Sequence, residues 1–336
     1  MDSYRDGAKE AGLHGFPAEL TLALDAGGTF LKGAILMNGQ VVPGSFICRP
    51  SNSQASADIV IKGIAAVCVE LLDYFITASR PLCPEDRVQI GFAFPGPFDY
   101  NSGTAHLQGV GKYDNLYRLS VHDLLQAQFR RLQISSPGIV ADCLAFAGIK
   151  FGNDAAMFGL GTSLRFPSQR LICLTLGTGV GSVFIADKQM ITSMEGLPKS
   201  GMLYNEPYGD DIVDNQFGRR GILRMAASEG IAIEDADVAD LAAAAEQGSE
   251  EALRLFHIYG TKLGDMLLPY AAAFKPDHIV LGGQISASFP LWEASFRQAL
   301  GSSYAPTLAL PDAMSDVFRG IHMLFGTIQT DPQNNF

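Results

Sequence analysis

Apolar residues fall along this chain in two patterns: short runs closed by glycine, and longer stretches with helical spacing. The run TLALD (21–25) predicts a strand, AGGT (26–29) a tight turn, and KGAILM (32–37) a second strand. Asn38-Gly39 is a two-residue hairpin signal, and residues 40–47 are predicted to return as a third strand. Ile64, Val67, Leu71 and Phe75 then recur at helical spacing, which predicts a helix over 57–79 with one buried face. A buried strand at 87–94 is closed by Pro95-Gly96-Pro97. A helix is predicted at 121–132, and the apolar segment 147–151 ends at Gly152-Asn153-Asp154.

The second half opens as the first does. LICLTL (171–176) predicts a strand, GTGVG (177–181) a tight turn, and residues 182–186 a second strand. This strand–glycine turn–strand recurrence is a weak internal repeat, of the kind expected when two similar domains face each other across a cleft. Helices are predicted at 239–245 and 250–274. The second carries the stripe Leu253, Phe256, Leu263, Met266, Leu267 and Tyr270, and Pro276 stops it. A strand at 278–281 runs into Gly282-Gly283, and helices are predicted at 291–300 and 315–325. Strands and helices mix throughout, so the fold class is α/β.

Length and composition narrow the possibilities. The 336 residues favour two domains, and 47% hydrophobic against 18% charged residues supports sizeable cores. The expected division is a tail at 1–18, a first α/β domain of 19–155 plus 313–330, and a second of 156–312. The net charge of −11 repels phosphate backbones and anionic lipid, which argues against nucleic-acid and membrane partners. The five cysteines are widely spaced with no CxxC pair. They predict neither a disulfide framework nor a zinc site, and suit a reducing, cytoplasmic setting. No apolar stretch reaches the length of a membrane span, and the start of the chain does not read as a signal peptide.

Several segments can carry chemistry. In DAGGT (25–29), Gly27 and Gly28 remove the Cβ atoms that would keep phosphate oxygens from the backbone, and successive amides form an anion nest. Thr29 adds a hydroxyl donor, and Lys32 follows closely. Asp25, at the strand end, is a candidate Mg²⁺ ligand through water. Gly177, Thr178 and Gly179 look like the same device. No Rossmann fingerprint fits there, because Ser182 stands at the third glycine position and a strand follows. No GxxxxGK[ST] loop fits either: Gly111-Lys112 is followed by Tyr113, with His106 at the first glycine position. Asp154 could take a proton from a hydroxyl, and Asn153 could bind a sugar hydroxyl as donor and acceptor. Gly282 and Gly283 could pack flat against an adenosine. Taken singly, each also admits a plain role: a hairpin turn, a helix cap for Asn153-Asp154, or a strand-to-helix turn. The six histidines show no HxxxH or HExxH spacing, and no GxSxG elbow occurs.

The combination is more specific than its parts. DAGGTFLK (25–32), GFAFPGPFD (91–99), ND (153–154), LGTGVG (176–181) and DHIVLGGQIS (277–286) stand in the order found in the ROK family of sugar kinases and repressors. The resemblance covers about residues 20–330. It implies a two-domain actin/hexokinase-like (ribonuclease H-like) fold with an interdomain cleft. It also implies an ATP- and Mg²⁺-dependent sugar kinase acting on a hexose or N-acetylhexosamine, with Asp154 as the base and Asn153 on the sugar. ATP would lie between the Asp25 and Gly177 turns, with Gly282-Gly283 by the adenosine. Relatives are often dimers, so a homodimer is a possible assembly. Many members carry Glu-x-x-His followed by a CxCGxxGCxE zinc cluster, which this chain lacks. Glu206 stands for the family's sugar-binding glutamate, Gly209 falls where the histidine belongs, and Asp214 stands for the second acidic sugar ligand. Two alternatives remain: a non-catalytic sugar- or ATP-binding member, and a sugar-responsive transcriptional regulator. The regulators carry a helix-turn-helix ahead of the first glycine strand, whereas only 24 residues precede Asp25 here; that and the charge weigh against the second.

Overall fold

The computed structural model describes residues 17–83, 85–231 and 237–326. Residues 1–16 of the expected tail and 327–330 of the expected first domain lie outside the described residues. Ala18, assigned to that tail, belongs instead to the fold. It is buried, its N–H donates to Asp86 Oδ1 at 2.9 Å, and its carbonyl accepts from the Arg87 N–H at 3.0 Å. The chain divides into two compact units, one running up to Asn153 and resuming at Ile321, the other spanning Asp154–Gly320.

The first unit contains β1 (Glu19–Ala26), β2 (Phe30–Met37), β3 (Gln40–Val41), β4 (Ile47–Pro50), α1 (Ala57–Ala78), β5 (Arg87–Phe94), β6 (Phe98–Asp99), β7 (Thr104–Ala105), α2 (Val121–Ser135), α3 (Ile139–Ala145) and β8 (Gly148–Asn153). Its main sheet has the order β3-β2-β1-β5-β8, with β4 also on β2. β1 and β2 pair antiparallel, whereas β5 joins β1, and β8 joins β5, in parallel. The central strands β1 and β5 are buried along nearly their whole length, which explains their unbroken apolar runs. α1 supplies Ile64, Val67, Leu71 and Phe75 to the same core, as its spacing predicts. The third strand expected over 40–47 is two strands. Pro43 cannot donate to a ladder, and Gly44 takes the left-handed region (φ +75°), so the run breaks there.

The second unit contains α4 (Asp154–Ser163), β9 (Arg170–Leu176), β10 (Val180–Ala186), β11 (Gln189–Met190), β12 (Pro207–Tyr208), β13 (Asp211–Ile212), α5 (Val213–Phe217), α6 (Arg219–Ser228), α7 (Val238–Glu246), α8 (Glu250–Phe274), β14 (His278–Gly282), α9 (Phe289–Leu300), β15 (Thr307–Leu310) and most of α10 (Met314–Met323). The sheet order is β11-β10-β9-β14-β15. The internal repeat is visible here: as in the first unit, an antiparallel hairpin has a parallel strand on the far side of its first member. The boundary of the units falls inside α10, after Gly320, rather than before the helix. The reason is packing. The fully buried Asp316 pairs with Arg165 at 2.7 Å, and Gly320 lies so close to the Met157 carbonyl of α4 that no Cβ fits. No helix among the described residues is long and apolar enough to cross a membrane.

One ion pair fixes the start of the first sheet. Arg80 meets the Asp86 carboxylate at 2.7 and 2.8 Å, and the Cys83 and Ala18 amides also donate to it. Burial alone would raise the Asp86 pKa, but Arg80 and these amides outweigh it and hold it below the ordinary carboxylate value. Its contribution is therefore complete above the unfolded-state value and is lost as pH falls through the lower folded one. Asp86→Ala is expected to cost about 3 kcal/mol at neutral pH. In urea titrations the gap from wild type should narrow below about pH 4.

Candidate active site

The β1–β2 turn is held from behind by side chains distant in sequence. The Gly28 carbonyl accepts from Ser51 Oγ at 2.7 Å and also from Ser53 Oγ, and the Gly27 carbonyl accepts from the Tyr113 hydroxyl at 3.0 Å. The Ser51 N–H donates to the Thr29 carbonyl at 2.9 Å. Among the described residues, the amides of Gly27, Gly28 and Thr29 donate no hydrogen bond to the protein. A Cβ on Gly27 would meet the Phe30 carbonyl oxygen at 2.8 Å, so the turn needs glycine there. Asp25 and Lys32 are register partners at its base, both half-buried.

The β9–β10 turn is supported differently. The Gly177 N–H donates to the Gly179 carbonyl at 3.0 Å, and the Gly177 carbonyl accepts from the Arg219 N–H at 2.8 Å. Asp214 Oδ1 accepts from the Val180 N–H at 2.7 Å and lies where a Cβ on Gly179 would fall. Thr178 is exposed at the tip. Asp214 thus buttresses the turn with one carboxylate oxygen.

Beside this turn the second unit holds a cavity of ≈ 290 Å³. Gly177, Thr178 and Arg219 line one side, and Val238, Ala239, Ala242, Ala243 and Glu246 of α7 another. Gln284, Ile285, Ala287 and Ser288 complete it, and Asp237, at its edge, pairs with Arg219 at 2.7 Å. Mostly apolar walls with a few polar groups at the margin suit a flat, partly polar ligand. The predicted glycines Gly282 and Gly283 precede this wall and do not line it. Gly282 makes room for the Phe158 ring and Gly283 (φ +82°) for the Leu176 carbonyl, so both shape the turn that delivers Gln284 and Ile285. The contribution of α7 escaped sequence reasoning. Its signal is the run of alanines at 242–245, whose small side chains leave space.

Asp154 is the exposed first residue of α4, and its Oδ1 accepts from the Ala155 N–H at 2.9 Å. The buried residues Ala155, Ala156 and Met157 behind it fasten α4 in the second unit. Asn153 closes β8, and its Nδ2 donates to the Tyr100 hydroxyl at 3.2 Å, which donates to the Phe94 carbonyl at 3.1 Å. Glu206 accepts from the Tyr270 hydroxyl at 3.4 Å. Burial, and secondarily the Glu206 charge, raise the Tyr270 pKa, so this phenol stays protonated. The Glu206 carbonyl and the Tyr204 carbonyl accept from the Val213 and Asp214 amides, so the short β12–β13 hairpin, turning at Gly209 (φ +63°), holds Glu206 and Asp214 in one local frame.

Among the described residues no group of three or more His, Cys, Asp and Glu could hold a metal ion. Asp25 offers a single hard carboxylate at a strand end. That donor fits Mg²⁺, which keeps most of its waters and shares phosphate oxygens, and does not fit a metal needing an all-protein cage.

The sequence model of the ROK family matches residues 147–314, half of the chain. No curated protein matches it. Among solved structures it is similar to the ROK hexokinase of Thermus thermophilus (17% identity, 90% of this chain and 96% of that one, TM-score 0.66). It is also similar to a ROK family glucokinase from Streptomyces griseus, solved with glucose and AMPPNP (18%, 90% and 98%, TM-score 0.63). A ROK family transcriptional regulator, a homologue of the E. coli MLC protein, is similar too (16%, 91% and 80%, TM-score 0.63). These likenesses establish the actin/hexokinase-like α/β fold.

The role of Asp214 in the second turn has a measurable consequence. Asp214→Ala leaves the Val180 N–H without its acceptor and should cost about 1–3 kcal/mol in denaturant unfolding. Asp214→Asn keeps an acceptor oxygen and should recover most of that loss.

Proposed function

The chain belongs to the ROK family, and on that premise we propose that it is an ATP-dependent sugar kinase, transferring the terminal phosphoryl group of ATP to a hydroxyl of a hexose or N-acetylhexosamine. The observation that carries this reading is the first glycine turn, whose carbonyls are engaged by Ser51, Ser53 and Tyr113 while its amides find no acceptor among the described residues. Such a turn suits anionic oxygens. The amides of Gly27, Gly28 and Thr29 and those of Thr178 and Gly179 receive phosphate oxygens, and the hydroxyls of Thr29 and Thr178 add donors. The cavity beside Gly177 takes the nucleoside end.

Phosphoryl transfer needs a positioned nucleophile and charge neutralisation more than covalent help. Asp154 takes the proton of the attacking sugar hydroxyl as the hydroxyl oxygen bonds to the terminal phosphorus and the bond from that phosphorus to the bridging oxygen breaks, releasing ADP. Asn153 and Glu206 bind other sugar hydroxyls, and Tyr270 fixes Glu206. Asp214 reaches the sugar with the oxygen not spent on Val180. Asp25 would hold Mg²⁺ through water, and the ion would neutralise phosphate charge. Lys32, the register partner of Asp25, adds a positive charge at the base of the turn.

Gly209, standing where many relatives have a histidine, favours one other reading, a sugar-binding member without turnover. A coupled ADP-release assay over hexoses and N-acetylhexosamines separates them. Sugar-dependent turnover supports the kinase, sugar-independent turnover an ATPase, and no turnover the binding module. Asp154→Asn should lower kcat by roughly 10²–10⁴-fold and leave AMPPNP affinity near wild type. Wild-type turnover in that variant would refute the assignment of the base.

A further inference from the structure

The segment GVGK (109–112) fits no standard phosphate-binding loop, and the proposed chemistry leaves it without a role. The fold fixes it over the first glycine turn. Tyr113 is buried in the left-handed region (φ +57°), with its N–H donating to the Ser53 carbonyl at 2.7 Å and its hydroxyl to the Gly27 carbonyl at 3.0 Å. Gln54 Nε2 donates to the Gly111 carbonyl at 3.2 Å, and the Val110 and Gly111 amides donate to the Asp114 carboxylate, each at 3.2 Å. Within this frame the stem of Lys112 lies on Gly28. A Cβ built on Gly28 would stand 3.3 Å from Lys112 Cδ and 3.6 Å from its Cβ.

The lysine therefore covers the side-chain face of Gly28 with methylenes, and a stem held this way carries its ammonium group beside the turn. Lys112 makes no ion pair among the described residues, in a chain whose net charge is −11. A cation without a carboxylate partner, fixed next to amides without acceptors, is complementary to an anion.

We propose that Lys112 binds the nucleotide phosphate that the first glycine turn receives. This rests on reading that turn as a phosphate cradle. There Lys112 offsets the negative charge of the phosphate oxygens.

Calorimetric titration of the full chain with Mg·AMPPNP and Mg·ADP tests this. Lys112→Met keeps the stem over Gly28 and removes the charge. It should weaken AMPPNP about 10–100-fold, the effect of losing a charge-assisted hydrogen bond, and ADP by no more than that. Lys112→Arg should retain most AMPPNP affinity. AMPPNP affinity unchanged from wild type in Lys112→Met would overturn the role of Lys112. Gly27→Ala, which distorts the turn itself, is titrated alongside, with melting temperatures taken to check folding. Loss of both nucleotides there upholds the cradle. If Gly27→Ala binds both as wild type does, the cradle reading has failed and the inference falls with it. If Gly27→Ala loses both while Lys112→Met binds AMPPNP normally, the cradle stands and the lysine has no part in it.

Discussion

A backbone amide can receive a phosphate oxygen only if its peptide unit is turned toward the ligand and no Cβ stands in the way. On the proposed reading, two hairpins of this chain meet that condition. In the first, hydroxyls of Ser51, Ser53 and Tyr113 take the turn's carbonyls, so the orientation of the peptide units is fixed by the protein before any ligand arrives. In the second, a carboxylate and a helix-start amide do the equivalent work through Val180 and Gly177. Turns fixed in advance lose little freedom on binding, which is where affinity for a flexible triphosphate would otherwise be spent.

The sheets exist, in this sense, to place the turns. β1 and β9 are central strands, each clasped by an antiparallel neighbour and a parallel one, so the residue at which each strand ends is set by a ladder on both sides. Asp25 at the end of β1 and Asp154 at the start of α4 occupy element ends for the same reason: a short acidic side chain is presented there while the residues behind it are buried. Local closeness also ties roles together. Asp214 supports the second turn and is held by the hairpin that carries Glu206, so the segment read as sugar-binding and the segment read as phosphate-binding share a residue.

How much of this was legible in the sequence depended on range. The hairpins around 26–29 and 177–179 could be read directly, because apolar runs broken by glycine specify strand–turn–strand without outside help. The helices at 57–79 and 250–274 were equally legible from their spacing. What the sequence hid was long-range: that Asp214, 34 positions beyond Val180, props a turn, or that Ser51, Ser53 and Tyr113 meet at Gly27 and Gly28. Gly282 and Gly283 were readable as a special turn, but their reason is steric, set by Phe158 and the Leu176 carbonyl, and the cavity wall is the residues just after them. The strand expected across 40–47 ignored Pro43 and Gly44, and the tail assigned to Ala18 ignored a partner 68 positions away.

Hydrogen–deuterium exchange of the full chain with and without Mg·AMPPNP bears on the central claim most directly, because it reports on the turn amides themselves. Peptides covering 26–30 and 176–180 should both exchange more slowly when the nucleotide is bound. Unchanged exchange in both, with the nucleotide demonstrably bound, would contradict the account.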